Sequence, residues 1–358
     1  MTSYVQHRPH SVLRSTETHE SDVLQVDQND NGFRKMRETW PLWLQRGLRD
    51  TGTLRTIMNS LTRYAAAPVF FYENPSCLSE FVRLSGYPQS VTNLIAPETS
   101  RIHFSIESYG PHPSQSAEVM VSDTKKNCKD LPLLIFVHGG AWGSGFPTMY
   151  RLISVPFLEK GYRVAVLGYR TYPDANVDGQ VGDVVRAVDY FTRDQQGPTV
   201  LMGHSSGAHI SLLAALGGSL SSIDALICKS GVYDIEEHFQ HECSRGVDQI
   251  SPMSPACGPT LDDWRRNSPL RVLETVDQSI VDALPPLLFV HGETDGTVSP
   301  SASSDCFEAV TARGKGQCEL RILEGVGHSE PVLETFLGGS TQDTLFEWLD
   351  SLGLKVFR

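Results

Sequence analysis

Short apolar runs, each followed by a segment with helical periodicity, recur along the chain from about residue 100 onwards. The clearest runs are LPLLIFVHGG at 131–140, TVLMGHS at 199–205 and PPLLFVHGETD at 285–295. A strand that is apolar at successive positions must be covered on both of its faces. The alternation therefore predicts an α/β fold with a mostly parallel, doubly wound sheet. Functional residues are then expected in the loops that follow the carboxyl ends of the strands.

The same pattern divides the 358 residues into segments. Residues 1–32 are polar and are predicted to form a disordered tail, and residues 33–99 are predicted to be an N-terminal helical segment. Residues 100–358 make up the main domain. The polar stretch at about 232–284 interrupts the strand–helix alternation. We expect it to be a cap insertion above the carboxyl edge of the sheet.

Charge and composition exclude several classes of protein. The chain has 30 Lys and Arg against 42 Asp and Glu, a net charge of −12, whereas non-specific nucleic-acid binding needs a basic surface. No nucleic-acid partner is therefore expected. No apolar run reaches the ~20 residues that span a bilayer. The seven cysteines are scattered and contain no CxxC pair, which predicts free thiols and a reducing, cytoplasmic setting.

Residues 33–65 carry basic side chains between apolar positions such as Trp40, Trp43 and Leu44. This pattern fits a helix that packs over the main domain, which is the interpretation we favour. It also fits a basic amphipathic helix in weak contact with a membrane surface, which would make the protein peripheral to a membrane. The sequence contains no signal that fixes the oligomeric state.

The strongest motif is the G-x-S-x-G pattern GHSSG at 203–207, which directly follows an apolar run and precedes the helical segment AHISLLAAL. A tight turn between a strand and a helix exposes the central serine hydroxyl above the helix N-terminus. This context distinguishes the pattern from the many chance occurrences of G-x-S-x-G. Ser205 is therefore the candidate nucleophile.

A serine hydroxyl needs a base, and the base needs a carboxylate that fixes its tautomer. His328 lies in a Gly-flanked loop, EGVGHSE, after the last predicted strand. Asp295 ends the run LLFVHGETD and precedes the next helix, so we prefer it to its close rival Glu293. The order Ser205, Asp295, His328 along the chain completes a candidate catalytic triad.

The sequence HGGAW at 138–142 follows another predicted central strand. Attack on a carbonyl produces an oxyanion, which is stabilised by preorganised backbone N–H donors. Gly139 and Gly140 would let the backbone approach the substrate closely. The N–H of Ser206, at the start of a helix, is a further candidate donor. These positions predict an oxyanion hole beside the nucleophile.

Several other residues lie near these motifs. Trp142 either packs under the oxyanion loop or lines the acyl pocket, and His204, next to the nucleophile, is either a structural residue or a substrate contact. His238 and His241 lie three residues apart in HFQHE, but the spacing matches no zinc signature. We expect these two histidines on a solvated face of the cap, and no metal is predicted.

Taken together, the motifs resemble those of α/β-hydrolases in the hormone-sensitive-lipase-like branch. Over residues 100–355 the chain is similar to prenylcysteine methylesterases and kynurenine formamidases. HGGAW resembles the HGGxW oxyanion motif of formamidases, which implies that the N–H groups of Gly140 and Ala141 act as donors. GYRTYPDA at 168–175 is more similar to the methylesterases.

These observations predict a serine hydrolase that cleaves a carboxylic ester without a cofactor. The expected partner is a small-molecule ester or formamide. An arylformamidase that hydrolyses N-formylkynurenine is the enzymatic alternative. A hydrolase-like receptor or scaffold is the other alternative, but such proteins typically keep the fold and lose a triad member.

Overall fold

The computed structural model describes residues 102–122, 127–220, 222–248 and 251–354. The predictions for the polar tail, for the helical segment and for membrane contact through residues 33–65 lie outside these ranges. The strands of the described residues are β1 (Ile102–Ser108), β2 (Ser116–Ser122), β3 (Leu133–Val137), β4 (Arg163–Leu167), β5 (Thr199–His204), β6 (Ala225–Lys229), β7 (Leu287–Gly292) and β8 (Cys318–Leu323).

Within the described ranges, these strands form one eight-stranded sheet in the order β1-β2-β4-β3-β5-β6-β7-β8. Strands β3 to β8 are parallel to one another, while β2 pairs antiparallel with both β1 and β4. The prediction of a mostly parallel sheet is confirmed. The crossing point of the chain lies next to β3 and β5, where the order of the strands reverses. The loops after these two strands are therefore placed to meet at one edge.

The apolar runs did not predict β2. Its sequence, SAEVMVS, has Glu118 in the middle, and a charge interrupts the pattern of a covered strand. Glu118 is nevertheless only 5% exposed, because Arg151 forms an ion pair with it at 2.7 Å. The buried ion pair thus allows an acidic residue in an interior strand.

Helices cover both faces of the sheet. The helices are α1 (Ser154–Glu159), α2 (Val177–Thr192), α3 (Ser206–Leu216), α4 (Ile235–Arg245), α5 (Met253–Cys257), α6 (Leu261–Arg266), α7 (Pro269–Thr275), α8 (Gln278–Ala283), α9 (Ser301–Ala312), α10 (Glu330–Leu337) and α11 (Ser340–Ser351). Alternate residues of β3 belong to two separate apolar clusters. One cluster packs against α2 and α3, and the other packs against α1 and α11. The doubly wound arrangement predicted from the alternation is therefore present.

The segment between β6 and β7 contains α4 to α8. Asp234 caps α4 by accepting hydrogen bonds from two backbone N–H groups, and its carboxylate also pairs with Arg271 at 2.7 Å. His241 and Arg245 on α4 donate hydrogen bonds to the carbonyls of Gly296 and Thr297, just after β7. The helix is thereby held beside the carboxyl edge of the sheet. The role of this segment as a substrate cap stays a prediction.

No helix in the described ranges is both long enough and apolar enough to cross a membrane. The cysteines in these ranges are free thiols: Cys128, Cys228, Cys243, Cys257, Cys306 and Cys318.

Candidate active site

Ser205 lies in the turn between β5 and α3, with φ 54° and ψ −124°. Positive φ is uncommon for a residue with a side chain and is found where the surroundings enforce it. Here a Cβ on Gly207 would collide with the carbonyl oxygen of Val137, and a Cβ on Gly203 would collide with that of Gly207. The two glycines of GHSSG therefore permit the close packing that creates this turn. The N–H of Ser205 donates to the carbonyl of Lys229 at 2.8 Å, which holds the turn against β6.

The structure brings together the three side chains of the candidate triad. The Nε2 atom of His328 lies 3.1 Å from the Oγ atom of Ser205, and its Nδ1 atom lies 2.7 Å from Oδ2 of Asp295. Each residue comes from the loop after a different strand, β5, β7 or β8. The rival carboxylate Glu293 instead accepts a hydrogen bond from the N–H of Gly325 at 3.1 Å. The geometry therefore favours Asp295 as the partner of His328.

The carboxylate of Asp295 is buried and receives several hydrogen bonds. Its Oδ1 atom accepts from the N–H groups of Thr297 and Val298 at 2.8 and 2.9 Å. Burial alone would raise the pKa of Asp295, but the charge and hydrogen bonds of His328 and His291 outweigh burial and hold the pKa well below its ordinary value. Asp295 is therefore ionised at neutral pH and can stabilise an imidazolium at His328.

His291 is a site residue that the sequence did not reveal. It is fully buried, and its Nε2 atom lies 3.1 Å from both Oδ2 of Asp295 and the carbonyl of Val298. Its Nδ1 atom lies 2.7 Å from the hydroxyl of Ser303. Its Nε2–H donates to the carbonyl of Val298 and also lies against the carboxylate of Asp295. The only sequence signal was a histidine four residues before Asp295, inside an apolar run.

The predicted oxyanion loop follows β3 and has an unusual backbone. Gly140, Ala141 and Trp142 all have positive φ, of 135°, 49° and 61°. The carbonyl of Gly140 accepts from the N–H groups of residues 143 and 144 at 3.1 and 3.0 Å, and a Cβ at Gly140 would collide with Ser144. The loop lies beside the nucleophile, since a Cβ on Gly139 would be 3.0 Å from the Cβ of Ser205.

Ser206 is the first residue of α3, so its backbone N–H has no acceptor within the helix. The structure thus places Ser206 and the loop of Gly139, Gly140 and Ala141 next to Ser205. Their action as donors to an oxyanion stays a prediction.

Trp142 is only 1% exposed, and its ring packs edge-on against His209 of α3 and His238 of α4. Its indole N–H donates to Nδ1 of His209 at 2.9 Å, and Nε2–H of His209 donates to the carbonyl of Asn267 at 2.7 Å. Burial lowers the pKa of His209 to about 4. Neutral His209 is therefore the form that anchors Trp142.

His204 is also buried, and its Nε2 atom lies 2.8 Å from the carbonyl of His328. Burial, together with the nearby His328 and Lys229, keeps the pKa of His204 well below its ordinary value. The neutral ring can then donate Nε2–H to the carbonyl and hold the loop that carries His328. This contact fits the structural interpretation of His204. Substrate contact through His204 or Trp142 stays a prediction.

The prediction that His238 lies on a solvated face of the cap is wrong. Its side chain is 9% exposed, and its ring packs edge-on to Trp142 with 6.3 Å between centroids. Its Nε2 atom lies 3.5 Å from Glu242 Oε1, one turn further along α4. In the part of the chain that the structure describes, no group of three or more His, Cys, Asp or Glu is placed to hold a metal ion.

The sequence of this chain is similar to those of known proteins. The BD-FAE family matches residues 120–310, which is more than half of the chain. The chain belongs to the BD-FAE family. This member of the BD-FAE family is 27% identical over 263 residues to a "Probable isoprenylcysteine alpha-carbonyl methylesterase" of Arabidopsis thaliana, covering 68% of this chain and 61% of the relative. The chain thus spans about three fifths of the length of that relative.

Other relatives of this BD-FAE chain carry different names. It is 28% identical over 269 residues to "Esterase LipC" of Mycobacterium tuberculosis, covering 68% of this chain and 64% of the relative. It is 27% identical over 150 residues to a kynurenine formamidase of Drosophila melanogaster, covering 36% of this chain and 50% of the relative. Both groups of proteins that the motifs resemble therefore occur among the relatives.

Two solved structures with the same fold are esterases by name. Esterase B from Lactobacillus rhamnosis has a TM-score of 0.57 at 17% identity and covers 78% of this chain and 96% of its own. Brefeldin A esterase, described as a bacterial homologue of human hormone-sensitive lipase, has a TM-score of 0.58 at 15% identity, covering 72% and 77%. At these identities the likeness shows the fold alone. The prediction of an α/β-hydrolase fold is confirmed.

Proposed function

We propose that this chain is a serine hydrolase that cleaves carboxylic esters through an acyl-enzyme. The observation that carries the proposal is the relay from Ser205 Oγ to His328 Nε2, at 3.1 Å, and from His328 Nδ1 to Asp295 Oδ2, at 2.7 Å. A hydroxyl, an imidazole and a buried ionised carboxylate in this order are what nucleophilic catalysis by serine requires.

In the first half of the reaction, the Ser205 Oγ attacks the carbonyl carbon while its proton passes to His328 Nε2. A bond forms between Oγ and carbon, and the carbonyl electron pair moves to oxygen. The N–H groups of Gly140, Ala141 and Ser206 would stabilise this oxyanion. When the oxyanion collapses, the bond to the leaving oxygen breaks and His328 protonates the departing alcohol.

In the second half, water takes the place of the alcohol. His328 accepts a proton from the water, whose oxygen attacks the acyl carbon of the ester on Ser205. Collapse of the second tetrahedral intermediate breaks the bond to Oγ, and His328 returns the proton to Ser205. Throughout, ionised Asp295 holds Nδ1–H and offsets the positive charge of the imidazolium.

Ser205→Ala tests the proposal. We expect the wild type to hydrolyse p-nitrophenyl acetate and to be labelled at Ser205 by a fluorophosphonate, as read by mass spectrometry of the peptide. The variant should fold normally by circular dichroism and show neither property. Retention of wild-type esterase activity in the folded variant would refute the assignment of the nucleophile.

Formamide hydrolysis is a second candidate function, because HGGAW resembles the formamidase motif and a kynurenine formamidase is among the relatives. The same relay would cleave a formamide, with His328 protonating the departing amine. A comparison of kcat/KM for N-formylkynurenine and for short p-nitrophenyl esters separates the two candidates, because discrimination between substrates is a ratio of these constants. A prenylcysteine methyl ester belongs in the same panel, given the methylesterase relative.

A further inference from the structure

Lys229, the last residue of β6, is a fully buried lysine below the candidate active site. Burial lowers its pKa to about 7, and no charged neighbour in the described residues offsets this effect. Burial of an ammonium group lowers the stability of the folded state by several kcal/mol. Replacement by an apolar side chain of similar volume often leaves stability unchanged or raises it. Stability therefore does not explain why a lysine occupies this position.

The contacts of Lys229 give a different explanation. Its Nζ atom donates to the hydroxyl of Thr335 at 2.9 Å and to the carbonyl of Pro331 at 3.1 Å, both in α10. Pro331 follows His328 by three residues. The carbonyl of Lys229 also accepts the N–H of Ser205 at 2.8 Å. One residue thus contacts the backbone of the nucleophile and the helix that follows the base.

A second contact holds the same loop. His204 and Lys229 are paired across β5 and β6 as the last residues of their strands. Nε2 of His204 lies 2.8 Å from the carbonyl of His328, while Nζ of Lys229 holds the carbonyl of Pro331. The chain from His328 to Pro331 is therefore attached at both ends to one edge of the sheet. Both attachments lie on the part of the chain that carries His328.

We propose that Lys229 is a positioning residue that joins the turn of the nucleophile to the helix behind the catalytic base. The inference rests on the proposed serine hydrolase function. Lys229 touches neither the substrate nor the reacting atoms, and it acts by fixing α10 and therefore His328. A displacement of about 1 Å between reacting groups can reduce a rate about 100-fold.

Lys229→Met tests this role, because methionine fills much of the space and removes both hydrogen bonds. We expect unfolding at an unchanged or higher temperature, since a buried charge is lost. The rate of fluorophosphonate labelling and kcat should nevertheless fall about 10- to 100-fold, with KM for p-nitrophenyl acetate changed by less than about twofold. Ile227→Val, on the same face of β6, is the matched control for a core change and should leave kcat unchanged.

Thr335 provides an independent variant on the other side of the contact. Thr335→Val should lower kcat in the same manner, and Thr335→Ser, which keeps the hydroxyl, should restore the wild-type value. If the contact of Lys229 with Thr335 carries the effect, the double variant Lys229→Met with Thr335→Val should be no slower than the slower single variant. Multiplicative losses in the double variant, or an equal loss in Thr335→Ser, would overturn the proposal.

The outcomes also separate this inference from the proposed function. Failure of the wild type to react with the fluorophosphonate overturns both. A wild type that reacts, together with a folded Lys229→Met variant that reacts equally fast, overturns only the role of Lys229. If Lys229→Met does not fold, the comparison of Thr335→Val with Thr335→Ser decides the question.

Discussion

Two groups of loops meet at Ser205, and they are held in place by different means. The oxyanion loop at 139–145 depends on backbone conformation, with three successive residues at positive φ and carbonyls that leave no room for a Cβ. The loops that carry Asp295 and His328 depend on polar side chains, chiefly His291 and His204. The first group should therefore be damaged by adding atoms, and the second by removing hydrogen-bonding groups.

The largest loss of activity is expected from a change in the loops that carry Asp295 and His328. Asp295→Asn should reduce kcat for p-nitrophenyl acetate about 10⁴-fold, because an amide does not hold His328 in the tautomer that accepts the serine proton. Glu293→Gln, at the neighbouring exposed carboxylate, is the control and should keep wild-type activity. A loss of less than tenfold in Asp295→Asn would contradict the assigned role of the carboxylate.

The next largest effect is expected from one added methyl group in the oxyanion loop. Gly140→Ala places a Cβ against Ser144 at a φ of 135°, so the loop must move and kcat should fall about 10²- to 10³-fold. Gly182→Ala is the matched control, because a Cβ there meets no atom within 4 Å. It lies inside α2 and should raise stability by about 0.5–1 kcal/mol with unchanged activity. Equal losses in the two variants would contradict the steric argument for the oxyanion loop.

A pH experiment sharpens the comparison, because Trp142 in the oxyanion loop also relies on a side chain, His209. The pKa of His209 is lowered from 6.5 to about 4 in the folded state, so the unfolded state binds the proton first. Its contribution to stability is complete above pH 6.5 and is lost as pH falls towards 4, by about 3 kcal/mol. His138, whose pKa burial also lowers to about 4, adds a similar loss.

Urea unfolding at several pH values between 7.5 and 4.5 measures this dependence. His209→Gln keeps an acceptor for the indole and a donor for the carbonyl of Asn267 but does not titrate. Its free energy of unfolding should fall less steeply with decreasing pH than that of the wild type. Parallel curves for the two proteins would show that His209 is not held neutral.

The smallest loss of activity is expected from His291, the second histidine in contact with Asp295. His291→Asn shortens the side chain and removes one hydrogen bond of about 1.4 kcal/mol, which corresponds to about a tenfold loss of kcat. KM should not change. Ser303→Ala, which contacts His291 but not Asp295, should lose less activity. If Ser303→Ala proves the more damaging, His291 acts through the packing of α9 rather than through the carboxylate.

Much of the sheet and the spatial grouping of the triad could be predicted from the sequence. A strand covered on both faces leaves an unbroken apolar run, and GHSSG carries its own requirement for a tight turn. Strand β2 could not be predicted in this way, because the carboxylate of Glu118 is satisfied by Thr148 and Arg151, which lie 30 and 33 residues further on. Long-range ion pairs of this kind leave no local pattern.

The supporting residues were hidden for a related reason. His291 and Lys229 are single polar residues within apolar runs, and nothing in the run indicates which buried partner each one meets. His238 was expected in solvent because its helix is polar, but the packing of α4 onto Trp142 decides which face is buried. Local sequence patterns predict the candidate catalytic residues. The residues that position them are identified only by their contacts with distant parts of the chain.

The last parallel strand gives this fold a practical property. Within the described part of the chain, β8 is an edge strand that pairs with β7 alone. The connection before it, at 313–317, includes Gly314 and Gly316, around which an added Cβ meets nothing within 4 Å. A cut there places Ser205 and Asp295 on one fragment and His328 on the other. Ester cleavage would then return only when the two pieces reassemble, which makes the molecule a ready starting point for a split reporter of protein association.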